Sequence, residues 1–430
     1  MNSRQVASTV FGHPSRTFSV KLWDGSKLPA PFNRAPGSVL VLHAPEALDL
    51  FVPPISERRL AEAYIDERID LEGEPTALLE AAASWTGPPL LPSLRALASR
   101  LLDAVYTDGD NPAGRSGSRR VEPDRDRISI HDEYDHPGDF YRLFLDESLT
   151  YSCAYFPTGS ETLEDAQRAK HELICRKLGL RPGERLLDVG CGSGALLLHA
   201  ARVHRAVGTG ITVSETELEA ARERTRTETL GQSIDVRLLD YRRAETLGPF
   251  DKIASVGMME HVGDERLPGY LIAVNNALKP GGLFLNHAIA DISGGHRLLE
   301  WATRRRGGYI ERYIFPDSEL VPIEHVIREA ERAGFEVRDL ESLREHYVKT
   351  LSHWLRRFDA RLDDAVRIVG RPAARAFRLY LAASAVAFRL GKISVFQLLL
   401  AKRMPTGRVE AVPSCRGDWY AHEQPLLETP

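Results

Sequence analysis

Cysteine is scarce in this chain, with 4 among 430 residues, at Cys153, Cys175, Cys191 and Cys415. They show neither a disulfide framework nor the paired C-x-x-C spacing of a zinc site, so the sequence predicts a cytoplasmic protein that holds no metal. Long apolar runs are missing too. Nowhere do about 18 apolar residues stand together, and Arg4, His13 and Arg16 lie among polar residues with no apolar stretch of the kind that directs export. The expectation is a chain that is neither exported nor membrane-spanning, though able to sit on a membrane surface. A marked excess of one charge is the third absence. Lys and Arg total 56 against 60 Asp and Glu, a formal net charge of −4, which gives no global reason to expect nucleic acid as a partner. Any anionic partner must be met locally.

What is present suggests a main domain of roughly 250 residues and a smaller one. Residues 1–106 are expected to form a small α/β unit. In it, residues 18–23 alternate towards an Asp24-Gly25 hairpin turn, residues 39–42 read as a strand and residues 58–68 as a helix. Residues 107–123 are rich in Gly, Pro, Ser and Arg with almost nothing apolar, as a surface linker is. Residues 124–430 form the main domain. There, strands expected at 185–189, 206–211, 234–239, 252–256 and 283–289 alternate with helical windows such as 215–229 and 266–278. That alternation predicts an α/β fold with a doubly wound, mostly parallel sheet. Ligands of such sheets bind beyond the carboxyl ends of the strands, where the Gly-rich turn, Thr212, Asp240, Glu260 and His287 all fall.

The run Asp188-Val189-Gly190-Cys191-Gly192-Ser193-Gly194 joins an apolar strand to an apolar helix. Glycines there let the backbone turn sharply and approach a ligand without a Cβ clash. The spacing overlaps the dinucleotide fingerprint without matching it, and S-adenosylmethionine (SAM) is the favoured reading over a dinucleotide. Thr212 and Glu217 could bond the ribose diol of such a cofactor, yet Ser214 and Glu217 also have the spacing of a helix capping box. Asp240, Tyr241 and Arg242 could meet an adenine, or form an ordinary turn. Taken singly, Cys153 reads as a buried structural thiol, Glu260 as a cap or solvated carboxylate, and His287 as a satisfied core histidine.

Read in order, these segments resemble the cyclopropane fatty acid synthase family of SAM-dependent lipid methyltransferases. The likeness runs through E-Y-D-H-P-G-D-F-Y-R-L-F-L-D (133–146), Y-S-C-A-Y-F (151–156), L-D-V-G-C-G-S-G (187–194), S-V-G-M-M-E-H-V-G (255–263), Y-I-F-P (313–316) and H-Y-V-K-T-L-S-H-W (346–354). It implies a Rossmann-like class I methyltransferase. It also implies SAM contacts at Tyr151, Ser152, Asp188, Gly190, Cys191, Gly192, Gly194, Thr212, Glu217, Asp240, Tyr241 and Arg242. A bicarbonate ion is implied as general base, held by Cys153, Glu260, His287, the backbone at Ile289, and Tyr347. The N-terminal segment, with Leu60-Ala61-Glu62-Ala63-Tyr64-Ile65-Asp66, looks like the extra domain of the phospholipid-modifying members. The chain departs from the family pattern at Glu133 and Gly138, at Glu217 where Gln is usual, at Ser193, and across residues 293–308.

The implied reaction delivers the SAM methyl to a cis alkene of a phospholipid acyl chain. The resulting carbocation would be steadied by Tyr155, Phe156, Tyr313 and Phe315, and deprotonation closes a cyclopropane. A methylene- or methyl-branched product is the alternative. Basic stretches at 297–312 and 356–389, mixed with Trp301, Tyr309, Phe377, Tyr380 and Phe388, suggest peripheral contact with the inner face of the membrane, or solvated helix faces packed on a core. The enzyme is expected to be a homo-oligomer. A lipid-binding protein without turnover, and a methyltransferase for a small natural product or nucleic acid, are the competing classes.

Overall fold

The structure, a computed structural model, describes residues 7–8, 10–12, 16–31, 38–51, 57–84, 138–292, 319–406 and 412–420. The linker expected at 107–123, Glu133, residues 293–308 and the aromatics Trp301, Tyr309, Tyr313 and Phe315 lie outside them.

The N-terminal part carries strands β1 (Ser19–Lys21), β2 (Lys27–Leu28) and β3 (Val39–Leu42), helix α1 (Glu57–Ile65), strand β4 (Ile69–Glu72) and helix α2 (Pro75–Ser84). Its sheet runs in the order β2-β1-β3-β4. The hairpin expected at Asp24-Gly25 forms, with Val20 opposite Leu28. Gly25 supplies the positive φ of 81° that the turn requires.

The main part follows as α3 (Leu163–Lys177), β5 (Arg185–Val189), α4 (Ala195–His204), β6 (Val207–Thr212), α5 (Glu215–Thr227), β7 (Ile234–Leu238), β8 (Phe250–Val256), α6 (Leu267–Ala277) and β9 (Leu278–Asp291). After these come α7 (Ile323–Arg332), β10 (Phe335–Ser342), α8 (Arg344–Ala360), α9 (Leu362–Val369), α10 (Arg371–Arg389) and β11 (Ile393–Lys402). The seven-stranded sheet has the order β10-β11-β9-β8-β5-β6-β7. From β9 through β7 every pair is parallel. The chain winds outward from β5 to β7 and then restarts at β8 on the other side of β5. That reversal between β5 and β8 opens the crevice where a ligand of such a sheet sits.

Two features differ from the sequence reading. The sheet gains an antiparallel edge, β11 against β9 and β10 against β11. β11 is buried along most of its length, so its residues carry no alternation to mark it as a strand. Second, the stretch at 356–389 is no membrane-facing surface over α10. Phe377, Tyr380 and Phe388 are buried. Arg375 donates to Tyr64 O at 2.8 Å and lies 4.0 Å above the Tyr64 ring. Arg378 donates to Asp359 Oδ1 at 2.7 Å and to the Tyr64 hydroxyl at 3.0 Å. Arg371 pairs with Glu67, and Arg389 with Glu80. The arginines of α10 therefore clasp the N-terminal part, and one continuous apolar core joins the two. No helix among the described residues is long and apolar enough to cross a membrane.

Candidate active site

At the carboxyl end of β5 the glycine loop turns with positive φ at Gly190 (75°), Gly192 (51°) and Gly194 (75°). A Cβ on Gly190 would stand 3.1 Å from Met258 Cγ, so the close approach as well as the dihedral selects glycine there. Above the loop lies a cavity of about 190 Å³. Tyr151, Ser152, Asp188, Gly190, Cys191, Gly192 and Glu217 all line it. A second chamber of about 110 Å³ is lined by Thr212, Glu217, Asp240, Tyr241 and Arg242. Gly190, Glu217 and Gly257 belong to both walls, so the chambers meet at Glu217. Gly194 is not on either wall. Its place is the N-cap of α4, where an added Cβ would meet that of Ala221 at 3.4 Å.

Glu217 both caps α5 and lines the two chambers. Its N–H donates to Ser214 Oγ at 3.2 Å, which is the cap. Its carboxylate accepts from Thr212 Oγ1 at 2.6 Å rather than returning to the Ser214 N–H, which goes to Thr212 Oγ1 at 3.1 Å. The carboxylate is thereby left on the chamber wall, and burial raises its pKa. Asp240 forms the local turn as well, accepting from Arg242 N–H at 2.9 Å and from Arg242 Nε at 2.8 Å. Ser193, a departure from the family pattern, donates to Ser148 O at 2.8 Å and ties the glycine loop to the 146–150 loop, which Arg224 also grips.

The Tyr151–Cys153 segment is held from beneath by α3, whose Gln167 donates to the carbonyls of Thr150 (3.2 Å) and Ser152 (3.0 Å). Lys170, fully buried, donates to Ser152 Oγ at 3.0 Å. Burial lowers the Lys170 pKa to about 8, against the opposing pull of Asp146, Cys153 and Asp188. Burial raises Asp188 to about 7, and Asp188 Oδ1 has no hydrogen-bond partner among the described residues. Lys170 and His171 escaped the sequence reading. The available signal was polar residues at 167, 170 and 171 among the apolar Leu163, Ala166, Leu173 and Ile174 of one helix face.

The expected base cluster gathers at the β9–β11 edge. His287 and Ile289 share one face of β9, opposite Gln397 and Val395 of β11. Glu260 Oε1 accepts the Ile289 N–H at 2.7 Å. Glu260 Oε2 is buried without a partner among the described residues, and burial raises this carboxyl to about 7. His287 Nδ1 lies 3.2 Å from the Gln397 amide nitrogen, its Nε2 is buried without such a partner, and burial holds the ring well below its usual pKa, hence neutral. Cys153 Sγ donates to Ala154 O at 3.2 Å and reaches Leu343 O at 3.8 Å. That same carbonyl accepts the Tyr347 N–H at 3.0 Å, while Leu343 N–H donates to Val395 O, one strand from Ile289. Lys170 lines the first chamber, and its charge acts on Cys153, Asp188 and His287 alike.

Two expectations shift here. The Ile289 amide serves Glu260 and the Cys153 thiol serves main-chain carbonyls, and burial keeps that thiol protonated, so Glu260 and His287 present the open polar atoms. Tyr155 and Phe156 turn to α8, Tyr155 lying 4.8 Å from the His346 ring and Phe156 stacking 5.7 Å from His353. The aromatics on the first chamber wall are instead Tyr141 and Tyr151, 5.6 Å apart.

Comparison with known proteins bears on this arrangement. The family described as mycolic acid cyclopropane synthetase matches residues 121–398. A probable fatty acid methyltransferase of Pseudomonas putida is 36% identical over 403 residues, covering 93% of this chain and 95% of that protein. Cyclopropane mycolic acid synthase MmaA2 of Mycobacterium tuberculosis is 34% identical over 288 residues, 66% of this chain and 99% of that protein. The solved structure of mycolic acid cyclopropane synthase CmaA1 complexed with SAH and CTAB superposes with a TM-score of 0.60 at 33% identity, covering 64% of this chain and 97% of that one. The mycolic acid enzymes thus cover about two thirds of this chain, and the Pseudomonas protein 93% of it.

Proposed function

The chain belongs to the mycolic acid cyclopropane synthetase family of SAM-dependent methyltransferases, and we propose that it adds a one-carbon unit to the cis double bond of an unsaturated acyl chain in a membrane phospholipid, forming a cyclopropane. The observation that carries this reading is two open, buried polar atoms, Glu260 Oε2 and His287 Nε2, the latter on a residue whose carbonyl accepts the N–H of Gly257, which lines both chambers. A protein that only bound lipid would have no use for them, and leaving them unpaired costs about 1–3 kcal/mol each.

SAM, when bound, supplies an electrophilic methyl, and bicarbonate a base of matched strength. Glu217 and Thr212 suit the ribose diol, and Tyr241 the adenine face. Tyr141 and Tyr151 flank the first chamber, where an aromatic face steadies a cationic centre by about 0.5–2 kcal/mol. The residue pair fits a small oxyanion: with Gln397 donating to Nδ1, His287 carries its hydrogen on Nε2, and Glu260 near pH 7 is poised between acid and carboxylate. The alkene π pair would bond to the sulfonium methyl as the methyl–sulfur bond breaks and S-adenosylhomocysteine leaves, and transfer of a proton from the new methyl to the base would give its C–H pair to the adjacent cation and close the ring. A 1,2-hydride shift that moves the cation to the methyl-bearing carbon, followed by loss of a methyl proton, would instead give a methylene branch, and loss of a proton from the chain an unsaturated methyl branch; the name fatty acid methyltransferase borne by the Pseudomonas relative favours such a reading. Contact with an anionic leaflet would draw on exposed arginines outside α10, such as Arg356, Arg361 and Arg367.

The test is incubation of the purified protein with SAM and oleoyl phospholipid vesicles, followed by mass spectrometry of the released acyl chains. A gain of one CH₂ that resists hydrogenation supports the ring, and retained unsaturation supports the branch. No mass gain on any acyl chain sinks the proposal. His287→Ala is expected to abolish product while SAM affinity stays within several-fold.

A further inference from the structure

Outside the chambers, the densest group of metal-ligating side chains lies where α3 packs on α4. Glu172 and Cys175 stand three residues apart and so share one face of α3. His199 lies midway along α4 and His204 ends it. The ligand atoms of Cys175, His199 and His204 all fall within 4.8 Å of one another. Glu172 Oε2 lies 2.8 Å from His199 Nε2 and 2.9 Å from His204 Nε2. Bond lengths near 2.1 Å at the tetrahedral angle set ligand atoms roughly 3.4 Å apart, so the Glu172–imidazole pairs would open by about half an ångström, and the thiol and imidazoles, within 4.8 Å of one another, would adjust to that spacing, to admit an ion. The other carboxylate oxygen, Glu172 Oε1, accepts from Arg176 Nε at 2.6 Å, the outer-sphere support that orients a metal-bound carboxylate.

We propose that Cys175, His199, His204 and Glu172 form a structural zinc site that staples α3 to α4. Two imidazoles sharing a carboxylate form a complete hydrogen-bonded group by themselves and need no thiol. A buried sulfur beside them is what a borderline-soft divalent ion selects. Four protein ligands close the coordination sphere, which suits a structural role rather than a catalytic one. The side chains of Glu172, His199 and His204 keep between 16% and 18% exposure, which leaves the ion a path in. Binding forms a sulfur–zinc bond and sends the Cys175 proton to solvent, with both imidazoles neutral, so affinity rises with pH. The staple would tie the helix that carries Gln167 and Lys170 to the helix that follows the glycine loop, fixing both walls of the first chamber.

The experiment takes the full-length protein, strips it with chelator, equilibrates it with Zn²⁺, and measures bound metal by mass spectrometry after dialysis. A parallel sample takes Co²⁺ and is read by absorption. Expected are about one zinc per chain, a rise in the thermal midpoint, and a thiolate-to-cobalt band in the near ultraviolet. Cys175→Ser should remove the band, and His204→Gln, at a partly exposed helix end, should weaken zinc binding by roughly tenfold or more. Zinc held no better by the unaltered protein than by a His199→Gln/His204→Gln variant, or cobalt without the thiolate band, overturns the proposal. The readouts do not depend on acyl turnover, so failure here and failure of the proposed reaction are separate results.

Discussion

Glu260 pays for its position in stability. Burial raises its folded pKa from 4.5 to about 7, so the folded state prefers the neutral acid. The stability tied to that preference is fully present below pH 4.5 and is lost as pH rises through 7, by on the order of 3 kcal/mol. Asp188 changes in the same direction and window. His287, held neutral by burial, opposes them by costing stability as pH falls below its ordinary value of 6.5. Comparison of Glu260→Gln with the unaltered protein isolates the Glu260 part. Gln can still accept the Ile289 N–H, so urea midpoints are expected to coincide near pH 4.5 and to favour the variant at pH 8, while product formation falls. Equal midpoints at pH 8 would remove the case for a buried, strained carboxyl. In the sequence, Glu260 and His287 stood out through their places at strand ends and through the family pattern, but their protonation did not, since burial, which sets it, is not a local property of the chain.

At the level of elements, α10 joins the two sheets. Arg378 meets Asp359 with two nitrogens and Tyr64 with a third, and its side chain is only 12% exposed. Arg378→Leu is expected to lower unfolding free energy by about 1–3 kcal/mol, because Asp359 and the Tyr64 hydroxyl lose a charged partner together. Urea unfolding followed by tryptophan fluorescence checks this, and a change within 0.3 kcal/mol, roughly the scatter of neutral surface changes, would reduce the clasp to incidental contact. The parallel strands were legible because βα alternation writes itself into local periodicity. The α10 arginines were ambiguous for the opposite reason: a cation facing lipid and a cation facing Asp359 have the same sequence signature. β11 went unread because a strand buried on both faces loses its alternation, whereas β10, buried only at Phe335, offered little apolar pattern to read.

Across the whole molecule, α10 relays the N-terminal part to the cofactor chamber. Its Phe377 packs 5.0 Å from Phe140 and 5.7 Å from Phe358, and Phe140 lies 5.6 Å from Tyr141 on the chamber wall. A truncation lacking residues 1–106 would bare the apolar side of α10 that Leu60, Ala63, Tyr64 and Leu78 share in one core. It is expected to aggregate or to melt at a markedly lower temperature, measured by light scattering and thermal unfolding; a monodisperse truncation of unchanged midpoint would show the halves to be independent. By itself the sequence determined the strands of the parallel sheet, the glycine loop and the family, since each rests on local periodicity or contiguous motifs. The tertiary structure alone decided that Glu217 both caps a helix and lines two chambers, that Lys170 lines the first of them, that α10 faces inward, and that Glu172, Cys175, His199 and His204 converge. Those facts are relations between distant segments, created only when apolar faces are buried against each other and the polar groups trapped between them must find one another.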